Sequence, residues 1–279
     1  MMSSLARDLA MALDPALLLR SEGLAPDPWQ ALVLRTASAR VLMCWCRQSG
    51  KTTTAAAAGL HAALHRPGAL VLIVSPGERQ SRLLFRRMLA LYQALGRPVP
   101  AEAELKLSLS LANGAEIVAL PGAEATIRGF ASVDTLLVDE AARVADDVFA
   151  AVLPMLGISA GRLIALSTPY GKRGWFHEAW VNGGPDWHRS FVPAELVPRL
   201  TPAVLAEARR VLGLRRYSEE FDCVFEADED AVFTSDDIAA AASSEIRPLA
   251  GASRFFTAFD SSDQELAHVV FGPRSRADV

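Results

Sequence analysis

The residues Arg47-Gln48-Ser49-Gly50-Lys51-Thr52 separate the apolar run Val41-Leu42-Met43-Cys44-Trp45-Cys46 from an alanine-rich helical pattern over 51–65. A strand, a tight turn and a helix in that order make a phosphate-binding loop. The backbone N–H groups of Gln48, Ser49, Gly50, Lys51, Thr52 and Thr53 then point at the β- and γ-phosphates of a nucleotide, aided by the positive end of the helix dipole. Lys51 reaches the same phosphates as a mobile cation, and the Thr52 hydroxyl is placed to hold Mg²⁺. Gly50 stands where a side chain would keep the backbone from the phosphate. The pattern G-x-x-x-x-G-K-[ST] asks for a glycine at position 45, where this chain has Trp45. A bare Gly-Lys-Thr also arises by chance, so the loop needs a partner motif.

That partner is Thr135-Leu136-Leu137-Val138-Asp139-Glu140, an apolar run ending in two acids. It reads as a buried parallel strand with its active end at the carboxyl edge. Asp139 is expected in the Mg²⁺ shell, and Glu140 is expected to orient and polarise the water that attacks the γ-phosphate. Taken alone, an Asp-Glu pair after a strand also fits a cap for a helix from Ala141 onward, where acids suit the dipole. The two motifs together point to a nucleoside-triphosphatase.

Composition bounds the possibilities. A chain of 279 residues that is 51% hydrophobic can bury a large core, with room for a smaller second unit. The net charge of −4 gives no global basic field, so any DNA contact is local or transient. Three cysteines argue against a disulfide framework, and Cys44 and Cys46 read as buried thiols on one strand face rather than zinc ligands. Arg7, Asp8 and Asp14 interrupt the N-terminal apolar pattern, which excludes a signal peptide reading, and no stretch reads as a transmembrane helix. The expected location is the cytoplasm, with no membrane partner.

The expected elements alternate along the chain: helices over 3–20 and from Pro28 toward Ala39, a strand at 41–46, a helix at 51–65, a strand at 70–75 and an arginine-rich helix at 78–95. Asn113-Gly114 marks a hairpin between strands at 105–111 and 115–120. A strand at 136–138, a helix at 141–153 and a strand at 162–167 follow. Looser patterns suggest a helix at 175–181, a strand at 188–192 and a helix at 202–213. The implied fold is α/β, with a mainly parallel central sheet covered by helices on both faces. The arginines at 79, 82, 86 and 87 read as a solvated helix face.

In four segments, in order along the chain, the sequence resembles the large terminase subunit, the ATPase-nuclease motor of tailed phages. Pro28-Trp29-Gln30 is similar to the family's adenine-recognising glutamine motif; an amide offers one donor and one acceptor to an adenine edge. The loop at 47–52 resembles the family's variant phosphate loop, which often lacks the first glycine and carries an arginine near its start. Thr126-Ile127-Arg128-Gly129 before the Asp-Glu strand and Ser167-Thr168-Pro169 after the next strand are similar to further family motifs, the latter a coupling motif. Singly, Gln30 also fits a surface helix, Arg128-Gly129 an ordinary loop, and Ser167-Thr168-Pro169 a strand end.

The resemblance implies a P-loop ATPase that uses ATP and Mg²⁺ to drive double-stranded DNA into a procapsid. Lys51, Arg47 and Glu140 would be catalytic, with Arg47 or a neighbouring subunit supplying the transition-state arginine, and Ser167 and Thr168 would couple γ-phosphate loss to motion. Implied partners are the portal protein, the small terminase subunit and further copies in a ring. The domain layout expected is N-terminal helices over 1–40, an ATPase domain over 41–225, a linker over 226–253 and an incomplete nuclease fragment over 254–279. There Arg254-Phe255-Phe256-Thr257-Ala258-Phe259-Asp260 and a following strand resemble the opening hairpin of an RNase-H-like domain, with Asp260 as its first metal ligand. A two-metal site needs several converging carboxylates, so no nuclease activity is expected of these residues alone. A helicase-like ATPase and an inactive prophage remnant that only binds nucleotide are the alternative readings.

Overall fold

A computed structural model describes residues 4–121, 130, 132–227, 254–259 and 265–271. The chain divides into two compact units, Met1–Asp228 and Glu229–Val279.

The first unit begins with α1 (Ser4–Leu13), then a 3₁₀ segment over Pro15–Glu22. The continuous helix expected over 3–20 is split because Pro15 cannot extend α1, and Asp14 caps the new start by accepting from the Ala16 N–H at 3.1 Å. Next come α2 (Pro28–Arg35), β1 (Arg40–Trp45), α3 (Lys51–His65), β2 (Leu70–Ser75) and α4 (Glu78–Ala94). Three strands follow: β3 (Ala101–Glu104), β4 (Ser108–Leu111) and β5 (Glu116–Pro121). Then come β6 (Thr135–Asp139), α5 (Asp146–Ser159), β7 (Arg162–Ser167), α6 (Gly174–Asn182), β8 (Trp187–Val192) and α7 (Pro202–Leu212). A short helix α8 (Leu214–Tyr217) runs into a π-helical turn, Ser218–Asp222.

The eight strands form one sheet in the order β3-β4-β5-β2-β6-β7-β1-β8. From β5 to β8 every pairing is parallel, while β4 pairs antiparallel with both β3 and β5. The Asn113-Gly114 hairpin joins β4 to β5, with Gly114 at φ +79°, and β3 extends that edge beyond the strands expected from the sequence. The helix expected over 141–153 starts later. Ala141–Arg143 is a single 3₁₀ turn, and α5 begins at Asp146, where Asp146 and Asp147 sit against the helix dipole.

The central strands are buried along nearly their whole length, as a sheet covered on both faces requires. Helix α3 lies close to the sheet because its face is alanine and Gly59. A Cβ at Gly59 would sit 2.7 Å from Met88 Cε and 2.8 Å from Leu137 Cδ1. Arg87 departs from the solvated face expected of α4. It pairs with Glu22 and donates to Thr53 Oγ1 at 3.1 Å, which ties the first turn of α3 to the 3₁₀ segment.

The second unit shows an antiparallel pair, β9 (Arg254–Phe259) with β10 (Glu265–Phe271). Asp260, the Thr126–Gly129 motif and most of the expected linker (all of it but 226 and 227) lie outside the described residues.

Gly59→Leu should overpack the α3–sheet contact and cost about 1–3 kcal/mol in urea unfolding. A wild-type midpoint would show that α3 does not bear on β2 and β6 as described.

Candidate functional site: the carboxyl edge of β1, β7 and β6

Three adjacent parallel strands end together on one edge. Cys44 of β1 is level with Ser167 of β7, and Leu166 of β7 is level with Asp139 of β6. The loop after β1, the Ser167-Thr168 end of β7 and the Asp139-Glu140 end of β6 therefore share one edge, with β1 and β6 about 10 Å apart across β7.

Position 45 explains the missing glycine. Trp45 is still in β1, paired beside Val192 of β8, fully buried, with its indole N–H donating to Ser190 Oγ at 2.9 Å. The loop proper thus starts after it, and no left-handed residue is needed there. The left-handed positions are Gln48 (φ +60°) and Gly50 (φ +92°). Ser49 Oγ donates to the Cys46 carbonyl at 2.6 Å, and the Lys51 amine donates to the Trp45 and Cys46 carbonyls at 2.7 and 2.9 Å. Burial pulls the Lys51 pKa down, while the nearby acids Glu140 and Asp139 oppose that shift.

Gln30 lies against the loop rather than on a surface helix face. It is buried, and its Nε2 donates to Thr54 Oγ1 at 3.1 Å and to the Gly50 carbonyl at 3.4 Å, while its Oε1 accepts from the Asp27 N–H at 2.9 Å. Through its Nε2 the amide braces the loop. A Cβ on Gly50 would collide with this amide, a reason for glycine independent of phosphate approach. Trp29 adds a donor to the Ser49 carbonyl at 3.1 Å. On the outer side, Arg199 donates to the Gln48 carbonyl at 2.8 Å and pairs with Asp27 at 2.9 Å.

Asp139 is buried, and its Oδ1 accepts the Glu140 N–H at 3.0 Å. Burial pushes its pKa up to about 7, and the Glu140 charge pushes the same way. Of the helix-cap alternative only the position remains: Glu140 precedes the Ala141–Arg143 turn at its N-cap, but its side chain makes no capping hydrogen bond. Glu140 sits in the left-handed region (φ +51°), a strained backbone for a non-glycine residue, and its carboxylate pairs with Arg143 at 3.0 Å. Ser167 Oγ accepts from the Ala142 N–H at 3.2 Å, joining the end of β7 to the turn after β6.

Sequence reading missed Glu220. This carboxylate, 3% exposed, comes from the π-helical turn and pairs with Arg47 through both oxygens, at 2.9 and 3.3 Å. Its Oε2 also accepts from Thr168 Oγ1 at 3.1 Å, and Arg143 lies 3.5 Å from Oε1. Burial alone would raise its pKa, but Arg47 and Thr168 outweigh that and hold it below the usual carboxylate value. Arg47, expected to face phosphate, is thus held at this carboxylate while its side chain stays 57% exposed. Nothing local in the sequence marks Glu220, Arg143 or Arg199, since each acts across a long stretch of chain or through a turn type that sequence pattern does not reveal.

Residues 43–240 match the profile of the family described as Terminase large subunit, T4likevirus-type, N-terminal. The chain belongs to this family. Relatives include the large terminase subunits of Thermus virus P23-45, 29% identical over 200 residues, and of Thermus phage G20c, 28% identical over 181. These alignments cover 64% and 58% of this chain but 41% and 37% of the relatives, so the chain spans about two fifths of the length of the curated relatives it matches. Among solved structures, the large terminase ATPase domain of Thermus phage P74-26 superposes with a TM-score of 0.66 at 22% identity, covering 74% of this chain and 96% of that one. The large terminase of bacteriophage HK97 gives a TM-score of 0.59 at 18% identity, covering 72% of this chain and 50% of that one. The α/β fold with its mainly parallel sheet is therefore the fold of terminase ATPase domains. Among the described residues, no helix is long and apolar enough to cross a membrane.

The raised pKa of Asp139 has a consequence for stability. Its folded pKa of about 7 lies above the unfolded value of 3.8, so this group favours folding most below pH 4 and loses that contribution as pH rises to 7. In chelator, Asp139→Asn should therefore gain melting temperature over wild type at pH 8 and lose that advantage near pH 4. An equal difference at both pH values would show that Asp139 is not held in a charge-averse site.

Proposed function

We propose that this chain hydrolyses ATP as the motor part of a large terminase, driving double-stranded DNA into a procapsid. The observation that carries the reading is the placement of Lys51, Asp139, Glu140 and Thr168 on one sheet edge, inside the stretch matched to the terminase family. The loop's N–H groups and Lys51 hold the β- and γ-phosphates, and Glu140 orients the attacking water. To do so, Glu140 must release Arg143. Arg47, freed from Glu220, or an arginine of a neighbouring copy stabilises charge on the loosening γ-phosphoryl.

The donor set suits Mg²⁺. Asp139 is a buried carboxylate that pairs with no cationic side chain among the described residues, and the Thr52 hydroxyl stands at the start of α3, so these two would hold the ion. Bound there, Mg²⁺ would neutralise charge between the β- and γ-oxygens. Gln30 braces the loop in this scheme and is the group proposed to meet the adenine edge. Ser167 and Thr168 pass γ-phosphate loss to the turn after β6 and to the π-helical turn. The portal protein, the small terminase subunit and a ring of copies are the partners this activity requires, in the host cytoplasm. Residues 254–271 are assigned to the opening hairpin of an RNase-H-like unit, with Asp260 as a metal ligand there.

Phosphate release should be measured with and without duplex DNA. Wild type should turn over ATP, and Glu140→Gln should keep nucleotide binding while losing about 100-fold or more in rate. Lys51→Ala should weaken ATP binding itself, read by calorimetry. Unchanged hydrolysis by the Glu140 variant would remove that residue from the role.

A further inference from the structure

At the amino ends of β6 and β7, on the edge of the sheet away from the phosphate loop, lies a cavity of about 220 Å³. Its polar wall is His61, His65, Arg66, Thr135 and Arg162. His61 and His65 stand one turn apart on α3, with ring centroids 4.7 Å apart. Arg66 follows as the C-cap of that helix, and Thr135 and Arg162 are level with each other where β6 and β7 begin. Among the described residues no carboxylate lines the cavity; the acid felt there is Asp8 of α1, which acts on His65.

Several donors here are left over. Arg162 uses three of its five N–H groups at the end of α2: Nε donates to the Ser38 carbonyl at 3.2 Å, and Nη2 to the Val33 and Thr36 carbonyls at 3.3 and 3.0 Å. Its Nη1 bonds to no described residue. Thr135 is 2% exposed, yet its hydroxyl also has no partner among the described residues. Arg66 is exposed at the rim, and its side chain makes no ion pair among them. Burial, and then the charge of Arg66, pull the Arg162 pKa down, as expected of a guanidinium short of a counter-charge. Burial lowers both imidazoles as well, so at neutral pH the positive charge of the cavity rests on the two guanidiniums. Two such charges repel a metal cation, and no third ligand joins the histidine pair among the described residues. An oxyanion instead gives Nη1, the Thr135 hydroxyl and Arg66 an acceptor each and relieves the repulsion between the guanidiniums. The volume is below the roughly 300 Å³ at which drug-sized ligands begin to fit, so the occupant is a small ion.

We propose that this cavity binds a phosphate group, held by Arg162 Nη1, the Thr135 hydroxyl and Arg66, at a site separate from the phosphate loop. Free phosphate suits it better than a phosphate of a DNA backbone, because the Thr135 end of the cavity is almost closed to solvent. Ala12 of α1 forms part of the wall, and its carbonyl lies 3.0 Å from His61 Nε2, so an ion there also fastens α1 to the sheet. The site stands independently of the ATPase reading.

The test titrates inorganic phosphate into the full chain by calorimetry, as wild type, Lys51→Ala, Arg66→Ala and Thr135→Val, with melting temperature read alongside. Lys51→Ala weakens the phosphate loop as a competing site, and Thr135→Val keeps shape while removing the hydroxyl. Expected is a Kd of about 1 mM or tighter that survives Lys51→Ala. Affinity should fall about tenfold in Arg66→Ala and about fivefold in Thr135→Val. Affinity for ATP should stay within about twofold of wild type in both, since the sites are far apart. Phosphate should raise the melting temperature of Lys51→Ala, and less so once Arg66→Ala is added to it. A short DNA duplex is the second ligand: duplex binding weakened by Arg66→Ala and Thr135→Val, without binding of free phosphate, would keep the site and assign it to a backbone phosphate. Phosphate binding lost in Lys51→Ala alone would place the ion at the phosphate loop and overturn the proposal. So would affinities for both ligands unchanged by Arg66→Ala and Thr135→Val, or no binding of either, the results expected if Arg162 only caps α2. Phosphate bound at the cavity by a wild type that binds no ATP would uphold this site and sink the ATPase reading.

Discussion

The parallel ladder joining β6, β7 and β1 sets the position of everything else at the site. Strand side chains alternate faces, so a one-residue slip of β6 against β7 would turn Asp139 to the opposite side of the sheet and carry Glu140 with it. The register is held by burial on both faces: Val41, Leu42, Met43, Leu136, Leu137, Leu163 and Ile164 are all essentially without solvent contact. The apolar character of these strands thus fixes where the polar ends emerge. The loop after Trp45 and the strand ends at Asp139 and Ser167 therefore emerge side by side.

Around that edge the structure concentrates strain and unusual pairings. Gln48 and Glu140 are non-glycine residues in left-handed backbone, one in the phosphate loop and one directly after β6. Such conformations cost roughly 1–3 kcal/mol and persist where surrounding contacts over-determine them. Those contacts are visible. Arg199 holds the Gln48 carbonyl, and Arg143 holds the Glu140 carboxylate. Gln30 lies under Gly50 and fixes the loop from below, so the loop is braced on two sides by residues far away in the chain.

Much of this is legible in the sequence, for physical reasons. The apolar runs of β1, β2, β6 and β7 are unambiguous because a strand buried on both faces has no polar positions to blur it. The helix over Lys51–His65 has the bounds expected because Gly50 and Pro67 flank an alanine-rich stretch. The failures are equally physical. Pro15 splits the first helix, yet the amphipathic pattern runs across it. The start of α5 lies later than expected because a 3₁₀ turn and a helix share short-range spacing. β3 escapes notice because it is an exposed edge strand whose sequence, Ala-Glu-Ala-Glu, has no strand preference of its own. In the site, the residues on motif positions are legible, while Glu220 and Arg199 are not, since their contacts exist only once distant segments meet, and Arg143 is not because its pairing with Glu140 depends on a turn. Gln30 shows the intermediate case: its importance can be read, but the direction of its amide cannot.

Trp45 carries a last implication. With its backbone in the β1 ladder and its indole anchored on β8, the residue that heads the loop cannot swing, and the hinge available to the nucleotide shrinks to the few positions between Cys46 and Gly50. A glycine at that point would let the whole turn breathe; a locked tryptophan makes the cradle a rigid anvil. On the proposed function, adjustment to a phosphate would fall to the long, jointed side chains of Arg47 and Lys51, now held at Glu220 and at the Trp45 and Cys46 carbonyls.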